Sequence, residues 1–162
     1  MPEVAVAEPL YRALMTSPVG PLTLVVSERG VRAIHFGEVA GPAPGMDSDT
    51  KTQDLERQLR EYFAGQRRQF DLPLDWRGTP YQSKVWSELL KIPYGSTASY
   101  LDIAHSVGNR SPRSVGQANR RNPIPIVVPC HRVVAADGTM GGYSGGAPGG
   151  LRIKDFLLRL ER

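Results

Sequence analysis

The chain predicts an α+β fold in two parts. A small antiparallel sheet with a helix is expected over residues 1–78, and a mostly helical part with a helix-turn-helix over 79–162. Three observations carry this. Leu10 to Phe36 holds three short runs rich in β-branched and aromatic residues, YRALMTS, PLTLVVS and VRAIHF, separated by the turn signals SPVGP and ERG. Helical spacing of apolar residues appears only after that, around Leu55, Val85 and Ile153. The charge also changes sign: residues 1–78 carry 9 Lys/Arg against 11 Asp/Glu, and residues 79–162 carry 11 against 5.

The short connections between the first three runs predict a meander of antiparallel strands. Gly37–Thr50, with its Gly, Pro and Asp, is expected to be a mobile loop. Thr52–Ala64 reads as a helix with Leu55, Leu59, Tyr62 and Phe63 on one face and Gly65 as its stop. Phe70, Leu72, Leu74 and Trp76 alternate as in an extended segment, and Pro73 assigns it to a sheet edge. DWRGTP is read as the linker to the second part.

Thr79-Pro80 supplies a capping hydroxyl and a proline at the first helical position, and Val85, Trp86, Leu89 and Leu90 then fall inward. Ser99-Tyr100-Leu101-Asp102 has the form of a capping box. The helix it opens ends near Gly108, and Ser111-Pro112 starts another that must stop before Pro123. Two short helices across a Gly-Asn turn make the helix-turn-helix. The second, PRSVGQANRR, has small residues at Ser114, Gly116 and Ala118 and arginines at both ends. Such a helix suits tight packing against a neighbour or close approach to nucleic acid, and the pattern leaves both open. GTMGGYSGGAPGG, over Gly138–Gly150, matches no nucleotide-binding glycine pattern and reads as a connector or as a loop that wraps a ligand. The last helix, Leu151–Leu160, places Ile153, Phe156, Leu157 and Leu160 inward. Glu161 at its end opposes the helix dipole and calls for a partner.

Hydrophobic content of 40% and charged content of 22% fit a globular protein, and no apolar run is long enough to span a bilayer. MPEVAVAEP is not patterned as a secretory signal. A lone cysteine excludes an internal disulfide and a cysteine-rich zinc site, and His35, His105 and His131 show no ligand spacing. A cytoplasmic setting with no metal and no cofactor is expected. Between Ser99 and Arg132 five arginines face a single acid, Asp102, which points to an anionic partner, nucleic acid first.

The single cysteine lies in IPIVVPCHRVV. Its apolar, β-branched lead-in is read as a buried strand that Pro129 ends. His131 and Arg132 next to Cys130 are the groups that activate a thiol. On a regular strand, however, His131 would face away from Cys130. Local pattern therefore leaves two readings, an inert core cysteine and a nucleophile served by His131 across a turn or a water.

RNPIPIVVPCHR closely resembles the active-site signature of the O6-alkylguanine-DNA alkyltransferases. The resemblance takes in the Thr79-Pro80-Tyr81-Gln82 helix start, IPYGSTASY, RSVGQANRRNP, PCHRVV, GGYSGG and the final helix ending in Glu161. The first part matches in layout only, where the family has a ribonuclease H-like sheet. The resemblance implies direct-reversal DNA repair by a stoichiometric, self-inactivating methyltransferase. The alkyl group of O6-alkylguanine, and less readily of O4-alkylthymine, would pass irreversibly to Cys130. The partner would be duplex DNA carrying that lesion, bound by a monomer that flips the base through the minor groove, and assembly along DNA is left open.

Residue by residue, Cys130 would be the acceptor, His131 its base through a water, and Glu161 the orienter of His131. Asn122 would brace the turn that presents Cys130, and Tyr100 would assist departure of the guanine. Ser144 would donate to O6, Tyr143 would wall the pocket, and the carbonyls of Cys130 and Val133 would read the exocyclic amine. Arg113 would fill the stack after flipping, with Ser114, Gly116, Ala118 and Asn119 along the minor groove. Two departures stand out. The loop is longer around Ala147-Pro148-Gly149-Gly150, and Asn119 stands where relatives can carry a larger apolar residue. Three rivals are a base-flipping lesion sensor without the cysteine, a helix-turn-helix regulator, and a cysteine hydrolase. Cys130 itself, the scarcity of base-reading side chains in PRSVGQAN, and the lack of a recognisable distant histidine weigh against them in turn.

Overall fold

The computed structural model describes residues 8–39, 45–47, 50–108, 111–137 and 149–162. Strands β1 (Leu10–Met15), β2 (Leu22–Ser27) and β3 (Gly30–Phe36) form the expected antiparallel meander, with Leu10 opposite Ser27 and Leu22 opposite Phe36. A fourth strand, β4 (Gly45–Asp47), pairs in parallel with β1, giving the order β3-β2-β1-β4. This corrects the reading of Gly37–Thr50 as loop throughout, since Gly45–Asp47 completes a sheet edge, while residues 40–44 and 48–49 lie outside the described residues. At the opposite edge, Val31 N–H donates to Pro73 O (2.9 Å) and Asp75 N–H to Val31 O (2.8 Å). The segment passes so close that a Cβ on Gly30 would sit 2.4 Å from Pro73 O, and Gly30 has φ +149°. Only glycine fits that crossing.

Helix α1 (Gln53–Phe63) buries Leu55, Gln58, Leu59 and Tyr62. Gln58 anchors the return segment with two bonds, donating to Asp71 O (2.9 Å) and accepting from Asp71 N–H (2.8 Å). Helix α2 (Pro80–Leu89) opens on a full capping box between Thr79 and Gln82 and buries Val85, Trp86 and Leu89. A two-residue strand, β5 (Ala98–Ser99), runs into α3 (Tyr100–Ser106), which Ser99 and Asp102 cap reciprocally. Helix α4 (Pro112–Arg120) follows, with Ser111 as its cap. Trp86 Nε1 donates to Ala118 O (2.8 Å) and ties α2 to α4. After the segment 121–129 come a single 3₁₀ turn, Cys130–Arg132, strand β6 (Val133–Val134) parallel to β5, and α5 (Gly150–Leu160). One apolar cluster runs through both parts, from Leu22 and Leu24 through Leu59 and Trp86 to Val128 and Leu157. Among the described residues no helix is long and apolar enough to cross a membrane.

Candidate active site

The run before the cysteine is buried but is not a strand. Residues 124–128 form turns, and Ile126 has φ +76°. Pro123, Pro125 and Pro129 remove three backbone donors, so no ladder can form there despite the β-branched side chains. Asn122 holds the turn together instead. Its Nδ2 donates to Val128 O (2.8 Å) and its Oδ1 accepts from Ile124 N–H (3.0 Å), while Val128 N–H closes on Ile124 O (2.9 Å). Ile34 N–H donates to Pro123 O (2.9 Å), which fastens the turn to the sheet.

Cys130 opens the 3₁₀ turn and is buried. Cys130 and His131 are successive members of a 3₁₀ turn and not of a strand, so the alternation of strand faces does not apply to them. Behind Cys130 lies a buried polar cluster around Glu161. Glu161 Oε2 is 2.7 Å from His131 Nε2 and accepts from Arg132 Nη2 (3.0 Å) and Tyr62 OH (2.6 Å), while Oε1 accepts from Arg132 Nε (2.8 Å). Arg132 Nη1 donates to Ile92 O (2.7 Å). Here is the partner that a carboxylate at a helix C-terminus requires.

Burial works against the Glu161 charge, but hydrogen bonds from His131 and Arg132 outweigh it and hold the carboxyl down at about 2. Burial lowers His131, and the Glu161 bond and charge only partly offset this. A carboxylate on Nε2 selects the Nε2–H tautomer, so Nδ1 carries the lone pair. Among the described residues Nδ1 has no hydrogen-bond partner. The arrangement is a buried imidazole oriented from behind by a carboxylate, and the lowered His131 favours its neutral form.

Three residues of this cluster escaped sequence reading. Arg132 reads in sequence as an activating charge beside the thiol and not as a partner of Glu161, and Tyr62 reads only as part of an apolar face. Lys154 was not placed inward at all, yet it is fully buried. Its Nζ donates to Val133 O (2.6 Å) and lies 6.0 Å from the centre of the Tyr100 ring. Burial lowers its ammonium to about 8, with the field of Cys130 opposing that shift. The signal was available: Lys154, Leu157 and Glu161 share one face of the last helix, and two charged residues in core phase are a mark of a site.

The expected positions along α4 divide. Arg113 is exposed and Ser114 and Gly116 half-buried, but Ala118 and Asn119 face inward, corrected from the groove-lining role. Ala118 O takes the Trp86 bond, and Asn119 Nδ2 donates to Cys130 O (3.3 Å), with Oδ1 unpartnered among the described residues. The alternation 114, 116, 118 has a period of two, whereas a helix repeats near 3.6, so Val115, Ala118 and Asn119 share the inner face. Gln117 and Arg120 are on the outer one. A cavity of about 390 Å³ is lined by Tyr100, Arg113, Gly116, Gln117 and Arg120. Tyr100 stands at the start of α3, which the pairing of Ala98 with Val133 brings beside the strand that leaves Cys130. Tyr143, Ser144 and the longer loop around Ala147 and Pro148 lie outside the described residues.

Comparison with known proteins agrees from both ends of the chain. Residues 80–162 match the 6-O-methylguanine DNA methyltransferase DNA-binding domain, and residues 10–76 match the ribonuclease-like domain of the same proteins. The methylated-DNA–protein-cysteine methyltransferase of Methanosarcina acetivorans is 42% identical over 157 residues, covering 94% of this chain and 98% of its own. The constitutive methylated-DNA–protein-cysteine methyltransferase of Bacillus subtilis is 52% identical over 110 residues, covering 67% of this chain and 65% of its own. The crystal structure of Mycobacterium tuberculosis OGT in complex with DNA superimposes with a TM-score of 0.85 at 41% identity, covering 93% of this chain and 92% of that one. With both halves matched in order, the chain belongs to the 6-O-methylguanine DNA methyltransferase family.

Proposed function

We propose that Cys130 removes the alkyl group from O6-alkylguanine in duplex DNA, and less readily from O4-alkylthymine, once per protein molecule. Family membership makes the chain a DNA-repair protein that transfers an alkyl group to cysteine. The observation that carries the assignment to Cys130 is simple: it is the only cysteine in the sequence. Its setting at a tight turn beside a buried, oriented imidazole adds support.

In this reading the thiol proton passes to His131 Nδ1 through a water, and Sγ attacks the alkyl carbon. The S–C bond forms as the C–O6 bond breaks, and guanine leaves with a proton supplied on the Tyr100 side. Proton donation to a poor leaving group and a fixed base are the two aids this displacement needs. The thioether product leaves no group that would regenerate the thiol, so the protein is spent. An O6 substituent inside a duplex is out of reach, so the nucleotide must flip out. The slim outer face of α4 enters the minor groove, with Ser114, Gly116 and Gln117 against the backbone and Arg113 in the gap. Residues 79–162 bear DNA and chemistry, and residues 1–78 support them.

The experiment is a titration of the protein with excess duplex containing O6-methylguanine. Methyl uptake should stop at one equivalent per protein. Continued turnover contradicts single use, and tight binding without uptake favours a lesion sensor.

A further inference from the structure

Four hydrogen bonds converge on the Glu161 carboxylate, and three come from His131 and Arg132, beside Cys130. The fourth comes from Tyr62 on α1, 99 residues away in sequence, and it falls on Oε2, the oxygen that also meets His131. A carboxylate next to an imidazole has two effects. It orients the ring by accepting Nε2–H, and it draws the ring toward the imidazolium form, which has no lone pair for the thiol proton. The reaction needs the first effect and is harmed by the second. Each additional donor on the carboxylate spreads its charge and weakens its pull on His131 without loosening the geometry.

We propose that Tyr62 is a positioning residue supplied by the N-terminal part: by sharing Glu161 Oε2 it lets the carboxylate orient His131 while His131 stays neutral. This rests on the transfer to Cys130 set out above. The groups facing the pair are consistent with it. Arg132 reaches Glu161 from the 3₁₀ turn, and the charges of Arg132 and of Lys154 on α5 oppose protonation of His131. Tyr94, whose ring centre is 6.4 Å from that of Tyr62, lies under the guanidiniums of Arg68 and Arg132. Burial, and then the Glu161 charge, push the Tyr62 phenol up, so it remains a donor. The ring has separate work: it packs edge-on against Phe63 and tilted against Phe70, each at 5.4 Å between centres. Tyr62→Phe therefore deletes the hydroxyl and keeps the packing.

The test uses the full chain and follows single-turnover methyl transfer from O6-methylguanine duplex as a function of pH. In Tyr62→Phe the acid limb should move up by about half a pH unit, which slows transfer about threefold at pH values below the midpoint. The His131 ring, titrated by NMR without DNA, should shift in the same direction. In a Glu161→Gln background the Tyr62→Phe change should add no further shift, because Tyr62 acts through Glu161. Unmoved midpoints in both measurements, even with a lower melting temperature, reduce Tyr62 to packing and overturn the proposal, as does a further shift in the Glu161→Gln background. If the wild-type chain takes up no methyl group, the transfer reading fails, and the NMR midpoint still decides the role of Tyr62.

Discussion

The two sides of α4 do opposite work. Its inner side, Val115, Ala118 and Asn119, closes on Trp86 and on the backbone of Cys130. Its outer side, Arg113, Gly116, Gln117 and Arg120, opens on a cavity that it shares with Tyr100. The inner side leads to the Glu161 cluster, where charged side chains are buried and paired. The outer side costs the fold little and is available to a partner. In the proposed function, these nine residues separate chemistry from recognition by no more than the rotation of a helix.

The comparison can be broken most severely from the inner side. Glu161→Gln leaves Arg132 without its counter-charge in a buried site and should cost about 3–5 kcal/mol of stability by urea denaturation. The same carboxyl carries a pH signature. Its folded value near 2 lies below the ordinary 4.5, so its contribution is fully present above pH 4.5 and is lost as pH falls through about 2. The wild type should lose stability across that window more steeply than Glu161→Gln, and equal slopes would contradict the hydrogen-bond network.

On the outer side, Arg113→Ala should leave stability within about 0.5 kcal/mol of wild type, as an exposed substitution does. It should slow repair of duplex DNA roughly tenfold or more relative to reaction with free O6-alkylguanine base, because flipping costs a few kcal/mol. Equal losses on both substrates would remove Arg113 from the flipping step. The smallest effect sharpens the comparison by its sign. A Cβ on Gly116 has the Tyr100 ring 4.0 Å away, an ordinary contact. Gly116→Ala should therefore stabilise the protein by about 0.5–1 kcal/mol while weakening duplex binding in a fluorescence titration. Gains or losses in both measurements together would show that the outer face is not reserved for DNA.

How much of this was legible beforehand depended on the range of the signal. Thr79-Pro80 and Ser99…Asp102 were readable because a helix cap is written within four residues. The inward stripe of α1 was readable because its period is that of a helix. The segment before Cys130 misled because its side chains favour strands while its prolines forbid the ladder, and the prolines won. The groove-lining places of Ala118 and Asn119 came with the family resemblance, which carries no helix phase, whereas the 3.6-residue repeat puts both with Val115 on the inner face. Tyr62 had no local sign at all, since its partner is Glu161 at the other end of the chain. Lys154 and Glu161 did carry a sign, charge in a core-facing phase, and that pattern is the transferable lesson.

The central claim, that Cys130 itself accepts the alkyl group, is tested most directly by intact-mass and peptide mapping after incubation with duplex DNA containing O6-methylguanine. The expected result is a gain of one methyl group confined to the peptide containing Cys130 and absent in Cys130→Ser. A methyl group on any other residue, or uptake that survives Cys130→Ser, would contradict it.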